Sequence, residues 1–331
     1  MISSGIRQLV QNEGIDVIRI ARADPFEGYL LPYSPRQDPR RTLSKAQSLI
    51  IAGIYIGGFN PSEWDNPTIG RTSHLFLSGF FCNVVEPLKS IASFLHEQGF
   101  SVVICDDFQP DRSILPLKLA AVRAGVGWQG KNTLLISPDY GSFLALGGII
   151  TDAPLEAGEG MEKDRCGKCR ACQEACPTNA LDEPYRLNRK RCLSHLLSEE
   201  SLPHEAYQFT GNKVLDCEVC QLVCPWNKRH LEEPLVTERI RLFRQKLITL
   251  NSLFKLSNLA RMTEASYSEF VGPYRTTVPY RVFRRNVIAA LGHSNDHGVI
   301  PLVQSALEDG DAEIQGFAKI SMNSLQQSMK K

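Results

Sequence analysis

The sequence predicts an α/β domain at the N-terminus, a small cysteine-rich domain in the middle and an α-helical region at the C-terminus. Three observations predict this order. Helical and extended hydrophobic patterns alternate over residues 1–155, eight of the ten cysteines fall between Cys166 and Cys224, and the last hundred residues carry helical periodicity. We place the domain limits at 1–155, 156–232 and 233–331, a usual division for a chain of 331 residues.

Composition and charge narrow the class of protein. Hydrophobic residues make up 43% and charged residues 22%, as in ordinary globular proteins. The formal net charge is +1, so binding to nucleic acid would need a local basic patch. Charged residues interrupt the N-terminal segment, and no stretch approaches the roughly 18 apolar residues of a membrane span. We therefore predict a cytoplasmic protein with no membrane partner, in which clustered thiols bind metal rather than form disulfides.

The elements of the first domain follow from their apolar patterns. Strands are predicted for IDVIRIA, for the Ile-rich SLIIAGIYIG, and further on for SVVICD, TLLIS and SFLALGGIIT. Helices are predicted for NVVEPLKSIASFLHEQGF and through ILPLKLAAVRAG. The segment GVGWQG fits G-x-G-x-x-G by letter, but it follows a helix and precedes a strand, the reverse of a dinucleotide-binding turn. The four glycines of residues 124–142 indicate either close approach to a ligand or a pair of tight turns.

The first four clustered cysteines have the spacing C-x2-C-x2-C-x3-C-P. They are Cys166, Cys169, Cys172 and Cys176, followed by Pro177. In bacterial ferredoxins, three thiolates of such a run hold one [4Fe–4S] cluster and the fourth ligates a second cluster. Zinc sites more often show two separated pairs, so a structural zinc knuckle is the weaker alternative.

The remaining clustered cysteines complete two ligand sets. The segment DCEVCQLVCPWN lacks one cysteine of a full ferredoxin run, and Cys192 fills that gap. We assign cluster one to Cys166, Cys169, Cys172 and Cys224. We assign cluster two to Cys176, Cys192, Cys217 and Cys220. The other two, Cys82 and Cys105, lie in apolar stretches and are predicted to be small buried side chains.

The C-terminal region has the pattern of a short helix pair of HEAT type, which must pack on the rest of the protein to bury its apolar face. Residues 235–286 also hold ten Lys or Arg against three Glu. This basic segment indicates phosphate binding, and a solvated basic face is the alternative. Its cations are Arg239, Arg241, Arg244, Lys246, Lys255, Arg261, Arg275, Arg281, Arg284 and Arg285.

Three blocks together resemble the epoxyqueuosine reductase family, over most of the chain from about Arg36. They are AGVGWQGKNTLLISPDYGSFLALGGIITD, CGKCRACQEACPTNALDEPYRLNRKRCLSHL and GNKVLDCEVCQLVCPWNK. The cysteine runs alone are specific only to ferredoxins. The GW-x-GKN motif joined to CPWN is much more specific.

The resemblance implies a cobalamin enzyme related in architecture to reductive dehalogenases. A nitroreductase-like α/β domain would hold base-off cobalamin, a bacterial-ferredoxin-like double-cluster domain would cover it, and the HEAT-like end would help to grip tRNA. The family reduces the epoxide of epoxyqueuosine at a tRNA wobble position, giving queuosine. We expect two [4Fe–4S] clusters, base-off cobalamin, tRNA, an external low-potential electron donor and a monomer.

The resemblance also assigns residue roles. The proton-donating Asp of the family falls on Asp111, for which a helix N-cap is the alternative role. As cofactor-binding residues the resemblance implies Arg36, Ser73, Asp111, Leu135, Leu146, Ser194, Cys217 and Glu218.

The chain departs from the family pattern around the expected substrate pocket. The cobalamin-contact cysteine of the family falls on Ser73, which begins the apolar tract SHLFLSGFFCN of residues 73–83. In the helix after Asp111, the family usually has acidic and basic residues where this chain has Leu117 and Lys118. At another position, where the family usually has an acidic residue, this chain has Gly148. Two alternatives therefore stay open. One is a paralogous cobalamin-dependent reductase of a small molecule, resembling reductive dehalogenases. The other is a ferredoxin-like electron-transfer protein without its own substrate.

Overall fold

The computed structural model describes residues 5–6, 14–27, 35–59, 62–106, 113–158, 163–232, 235–276 and 278–330. The chain divides into two compact units, each built from three separate segments. The first unit comprises Met1–Gly57, Phe81–Arg170 and Cys224–Glu233. The second unit comprises Gly58–Phe80, Ala171–Val223 and Pro234–Lys331. The domain limits drawn from the sequence stay predictions.

A four-stranded sheet forms the centre of the first unit. The strands in chain order are β1 (Val17–Arg22), β2 (Ser48–Tyr55), β3 (Val102–Cys105), β4 (Trp128–Gln129), β5 (Leu135–Ile136) and β6 (Leu144–Thr151). The sheet has the order β1-β2-β6-β3 with antiparallel neighbours throughout, and β4 pairs with β5 separately. Every residue of β2 is buried, as its Ile-rich sequence predicts. The predicted alternation of helices and strands is confirmed, and the pairing that it leaves open is antiparallel.

Two adjacent glycines in β6 let helices approach both faces of the sheet. Consecutive residues of a strand point to opposite faces. A Cβ built on Gly147 would lie 2.6 Å from Leu88 Cδ1, in the helix Val85–Glu97. A Cβ built on Gly148 would lie 3.2 Å from Leu117 Cδ2, at the start of the helix Leu117–Arg123. Fully burying a leucine such as Leu88 stabilises a fold by about 1.5–3 kcal/mol, so the small residues of β6 allow a dense core.

The second unit is helical within the described residues. Its short helices are His74–Ser78, Ala171–Glu174, Leu193–Leu196, Tyr207–Thr210, Val219–Leu222, Leu256–Leu259 and Ile300–Ala306. Its longer helices are Glu238–Leu253, Glu264–Arg275, Tyr280–Gly292 and Ala312–Ser328. No helix in the described part of the chain is long and apolar enough to cross a membrane.

The helix pair at the C-terminus packs closely. A Cβ built on Gly292 would lie 2.6 Å from Ser321 Cα, so the helices Tyr280–Gly292 and Ala312–Ser328 meet at that point. Asp311 begins the second helix, because its carboxylate accepts hydrogen bonds from the backbone N–H groups of Glu313 and Ile314. The helical C-terminus is thereby described, while its assignment to the HEAT type stays a prediction.

The two cysteines outside the cluster region differ in burial. Cys105, at the end of β3, is fully buried, as predicted. Cys82 is only partly buried, so the prediction of a buried side chain is wrong for this residue. The local structure explains the difference, because Cys105 pairs with Gly148 in the sheet, whereas Cys82 lies in the irregular segment before the helix Val85–Glu97.

Candidate functional site

The four cysteines assigned to cluster two gather within the second unit. Burial raises the pKa of the Cys217 thiol, and the nearby thiols of Cys192 and Cys176 raise it further, against a lowering by Lys213. Burial also raises the pKa of Cys220, and the thiols of Cys217, Cys192 and Cys176 contribute to that rise. The thiols of Cys217 and Cys220 therefore resist becoming thiolates unless positive charge lies beside them. Iron supplies that charge, since the thiolate is the form that binds metal.

Three of the four cysteines assigned to cluster one gather within the first unit. Cys224 is 8% exposed, and burial raises the pKa of its thiol, with a further contribution from Cys166 and Cys169. The fourth, Cys172, lies in the helix Ala171–Glu174 of the second unit, where its thiol is near Cys220.

The spacing of these thiols suits a cluster rather than a single ion. Among the described residues, no three His, Cys, Asp or Glu side chains come close enough together to hold one metal ion. A cubane spreads four thiolates around an eight-atom core, so its ligands need not converge on one point. The C-x2-C-x2-C-x3-C-P run is the ligand pattern of such clusters.

The GW-x-GKN motif lies directly against cluster one's cysteines. Trp128 is 1% exposed and packs with Ile136 and Cys224, and Cys166 packs against the same group. Lys131 Nζ donates hydrogen bonds to two carbonyl oxygens of the ligand loop, those of Gly167 at 2.6 Å and Cys169 at 2.9 Å. The motif therefore fixes the backbone of the loop that carries Cys166 and Cys169.

The CPWN motif packs against the same group of residues. Trp226 meets Trp128 edge to face, with ring centroids 4.8 Å apart. The buried side chain of Asn227 accepts a hydrogen bond from Ser142 N at 2.7 Å and donates one to Ser142 Oγ at 2.8 Å. Gly141 has φ +57°, and a Cβ built on it would lie 2.1 Å from Asn227 Oδ1. The glycine-rich segment is predicted to form either tight turns or a close approach to a ligand. Gly141 forms a tight turn, and the group that its backbone approaches is the side chain of Asn227.

A second polar arrangement surrounds Asp216 in the second unit. Ser73 Oγ donates a hydrogen bond to Asp216 Oδ2 at 2.7 Å, and Ser194 Oγ donates one to Oδ1 at 3.1 Å. Burial raises the pKa of Asp216, although the two hydroxyl donors act to lower it. Asp216 has φ +61° and immediately precedes Cys217. The structure thus brings together Ser73, Ser194 and Cys217, three residues that the family resemblance assigns to cofactor binding. The residue that joins them is Asp216, which the sequence alone did not identify.

The fourth such residue of this unit, Glu218, binds His74. His74 Nδ1 lies 3.0 Å from both carboxylate oxygens, and the backbone N–H of His74 also donates to Glu218. His74 Nε2 lies 3.0 Å from the carbonyl oxygen of Phe59. Both ring nitrogens therefore face acceptors, which requires an imidazolium beside a carboxylate. Burial acts to lower the pKa of His74, but Glu218 and the carbonyl oxygen of Phe59 together raise it by more, so the net shift is upward.

The other residues to which the family resemblance assigns a role belong to the first unit. Arg36 donates from Nε to the carbonyl oxygen of Ser113. Leu135 is buried in β5, and Leu146 is partly buried in β6 opposite Gly53. Asp111 lies outside the described residues. The described helix after it begins at Leu117 with Pro116 at the N-cap position, and both roles of Asp111 stay predictions.

Three arginines of the basic segment have partners inside the chain. Arg281 forms ion pairs with Glu200 and Asp311, and Arg284 pairs with Asp309 at 2.7 Å. Arg285 is 1% exposed and donates to the carbonyl oxygens of Glu199 and Glu200. The prediction that these three residues bind phosphate is wrong for Arg285, which is inaccessible. For the other two, the acidic partners already occupy the guanidinium groups.

Comparison with known proteins shows which proteins share these cysteines and motifs. A family model described as a 4Fe-4S double cluster binding domain matches residues 165–227. The epoxyqueuosine reductase of Bacillus subtilis (strain 168) is 30% identical, over 92% of this chain and 83% of the relative. That of Escherichia coli (strain K12) is 31% identical, over 70% of this chain and 60% of the relative.

Solved structures share the fold. The crystal structure of an epoxyqueuosine reductase with an epoxyqueuosine-modified tRNA-Tyr stem loop superposes with a TM-score of 0.79 at 23% identity, covering 100% of this chain and 94% of that chain. A reductive dehalogenase superposes with a TM-score of 0.52 at 17% identity, covering 84% of this chain and 38% of that chain.

The matched double-cluster domain and its eight cysteines define an iron–sulfur oxidoreductase with two [4Fe–4S] clusters. Its GW-x-GKN and CPWN motifs pack against Cys224 and Cys166 of one ligand set. The chain belongs to the epoxyqueuosine reductase family.

Proposed function

We propose that this protein reduces the epoxide of epoxyqueuosine in tRNA, giving queuosine. The observation that carries the proposal is the packing of Trp128 and Trp226 against Cys224, because the two most specific motifs of the family meet there. The relatives that share these features are named epoxyqueuosine reductases. Removing the epoxide oxygen as water takes two electrons and two protons, and the two clusters are built to carry the electrons.

Base-off cobalamin is the proposed second cofactor, and the polar groups that the family resemblance assigns to it are held in fixed positions within their own units. When bound, it supplies a strongly nucleophilic reduced cobalt. In the second unit, Ser73 and Ser194 are fixed by Asp216, and Glu218 is fixed by His74, so each polar group is held ready for a ligand. In the first unit, Arg36 is anchored to Ser113. These residues, with Leu135, Leu146 and Cys217, are our candidates for cobalamin contact.

Asp111 is the proposed proton donor to the oxygen that leaves the opened epoxide. A carboxyl group serves this step best when it is partly removed from water, because its pKa then rises toward neutrality. An external low-potential protein would supply the electrons, with the enzyme acting as a monomer in the cytoplasm.

The proposed tRNA contact lies on the exposed cations of the basic segment. Lys246 is exposed on the helix Glu238–Leu253, whereas the exposed Arg241 of the same helix pairs with Glu238. Phosphate contacts from such cations give affinity without base specificity and weaken as salt rises. A neighbour in fold has been solved with a modified tRNA stem loop, which supports a nucleic-acid substrate for this chain.

The test is turnover by the anaerobically purified protein. We would first measure iron and cobalt per chain after growth with cobalamin, then offer epoxyqueuosine-containing tRNA with a low-potential reductant. Nucleoside mass spectrometry should show epoxyqueuosine converted to queuosine. A protein with full iron and cobalt that leaves epoxyqueuosine-tRNA unchanged would contradict the proposed substrate.

One observation favours a second candidate, reduction of a small molecule. Two of the departures from the family pattern, Leu117 and Gly148, contact each other across the face of β6, and Leu115 completes an apolar group there. The apolar tract of residues 73–83 gives less support, because Phe76 is fully buried and its ring packs on Phe80 and Phe270. Turnover of a small organic halide or epoxide, with none of the tRNA, would favour this candidate.

A further inference from the structure

The indole N–H of Trp128 is a buried donor with an unusual environment. Trp128 is 1% exposed, and no acceptor among the described residues lies within hydrogen-bonding distance of its Nε1. Buried polar groups are nearly always hydrogen-bonded, and an apparent exception calls for an explanation by a water, an ion or a functional role. The indole can only donate, so an acceptor is what this site lacks.

The groups packed around Trp128 indicate which acceptor this is. Ile136 is a hydrocarbon, and the indole of Trp226 also only donates. Cys224 and Cys166 supply the sulfur atoms of the same packed group, and both residues belong to the ligand set that we assign to cluster one. Neither cysteine sulfur lies within hydrogen-bonding distance of Nε1, so the acceptor that fits is a sulfide of the cluster, which carries negative charge and accepts hydrogen bonds.

We propose that Trp128 Nε1 donates a hydrogen bond to a sulfide of cluster one and thereby raises the reduction potential of that cluster. Hydrogen bonds to the sulfurs and nearby charge are established determinants of cluster potential. A donor stabilises the reduced cluster more than the oxidised one, because reduction adds negative charge. Trp128 is a positioning and tuning residue in this role, and it touches no substrate.

Arg165 adds positive charge at the same place. Its guanidinium lies 5.7 Å from the ring centroid of Trp128 and 5.9 Å from that of Trp226. Both rings thus share one cation, which strengthens the field that favours the reduced cluster. The inference rests on the presence of cluster one, and it depends neither on cobalamin nor on the substrate.

The first experiment compares Trp128→Phe with the matched control Trp226→Phe in the full protein. Each variant removes one indole from the same edge-to-face pair, but only Trp128 carries the buried donor without a partner. Iron and sulfide per chain are measured first, and then EPR-monitored redox titrations give the cluster midpoints. We expect full clusters in both, with one midpoint moved to a more negative potential in Trp128→Phe alone. Full clusters with no shift beyond that of the control would overturn the inference.

A second measurement uses the parent protein, in case Trp128→Phe fails to assemble cluster one. Protein labelled with 15N in the tryptophan indoles is reduced, and pulsed EPR records the 15N hyperfine coupling to the cluster spin. We expect a coupling that persists in Trp226→Phe. A parent protein with loaded, reduced clusters and no indole coupling would refute the hydrogen bond. Absence of iron from the parent would instead refute the cluster assignment on which the proposed function depends.

Discussion

The imidazole of His74 lies 3.0 Å from the carboxylate of Glu218, and both side chains are almost fully buried. The two residues are 144 positions apart in the sequence, and Glu218 stands between the cluster-two cysteines Cys217 and Cys220. This ion pair therefore ties the helix His74–Ser78 to the loop that carries two cluster ligands. Removing one partner leaves the other as an uncompensated buried charge.

We expect His74→Leu to lower the free energy of unfolding by about 3–5 kcal/mol, the usual result of breaking a buried pair. The matched control is Lys89→Met, which breaks the exposed pair with Glu86 and should cost no more than about 0.5 kcal/mol. Anaerobic urea unfolding of both variants measures the difference. Equal small losses would show that the buried pair contributes little.

The stability from this pair should depend on pH in a defined direction. Because Glu218 raises the native pKa of His74 above its unfolded value, protonation of His74 stabilises the native state. The contribution is fully present below the unfolded histidine pKa of about 6.5, and it is lost as the pH rises through the raised native value. The stability gap between the parent and His74→Leu should therefore shrink from near-neutral to alkaline pH, as urea unfolding at a series of pH values would show. A gap that widens toward alkaline pH would contradict this assignment.

Gly141→Ala should damage cluster one, whereas Gly99→Ala should not. Both glycines have positive φ, +57° and +85°, and alanine in that conformation is strained by about 1–2 kcal/mol. A Cβ at Gly99 meets nothing within 4 Å, but a Cβ at Gly141 collides with Asn227 Oδ1. We expect loss of the Asn227–Ser142 hydrogen bonds and reduced iron per chain only in Gly141→Ala. Unchanged iron in both variants would show that the Asn227 contact is dispensable for the cluster.

Asp111→Asn should abolish turnover while leaving both clusters and the cobalamin in place. A positioned general acid contributes about 10²–10⁴ to a rate, and asparagine keeps the size of the side chain without its acidic proton. Iron and cobalt analysis beside queuosine formation checks both parts. A variant as active as the parent would remove Asp111 from the mechanism.

Arg285→Met and Lys246→Ala should separate folding from tRNA binding. Burial lowers the pKa of Arg285 to about 10, and its guanidinium holds the backbone carbonyls of Glu199 and Glu200. We expect Arg285→Met to destabilise the protein by about 3 kcal/mol, because buried acceptors lose their donor. Its salt dependence of tRNA binding should stay that of the parent.

Lys246→Ala should show the opposite pattern. Lys246 is exposed, so its removal should leave the stability unchanged while weakening tRNA binding and lowering the salt slope by about one. Binding isotherms at several salt concentrations measure both variants. A normal salt slope in Lys246→Ala would move the tRNA contact away from this helix.

Short-range patterns predicted much of this molecule. The spacing of Cys166, Cys169, Cys172 and Cys176 is a local property of the chain, so the cluster type could be recognised directly. The Ile-rich run of β2 likewise indicated a strand buried on both faces, which the structure confirms. The same patterns could not show that β2 pairs antiparallel with β1 and β6, because alternation does not encode a partner.

Long-range pairing of polar residues could not be predicted. Nothing near His74 indicated Glu218, and nothing near Ser73 indicated Asp216, since each pair is joined only by the fold. Counting charges likewise overestimated the free cations of the basic segment, because Glu200 and Asp311, the partners of Arg281, lie outside that segment.

The first unit takes its last piece, Cys224–Glu233, from a point more than fifty residues beyond Arg170. On the ribosome, residues up to Val223 therefore emerge with Trp128 lacking the neighbours Cys224 and Trp226 that later cover it. Iron delivered at that moment would find Cys166 and Cys169 without Cys224. Cluster one therefore lacks its full ligand set until the CPWN segment has been synthesised, and a chain truncated before Cys224 would leave Trp128 without its covering neighbours.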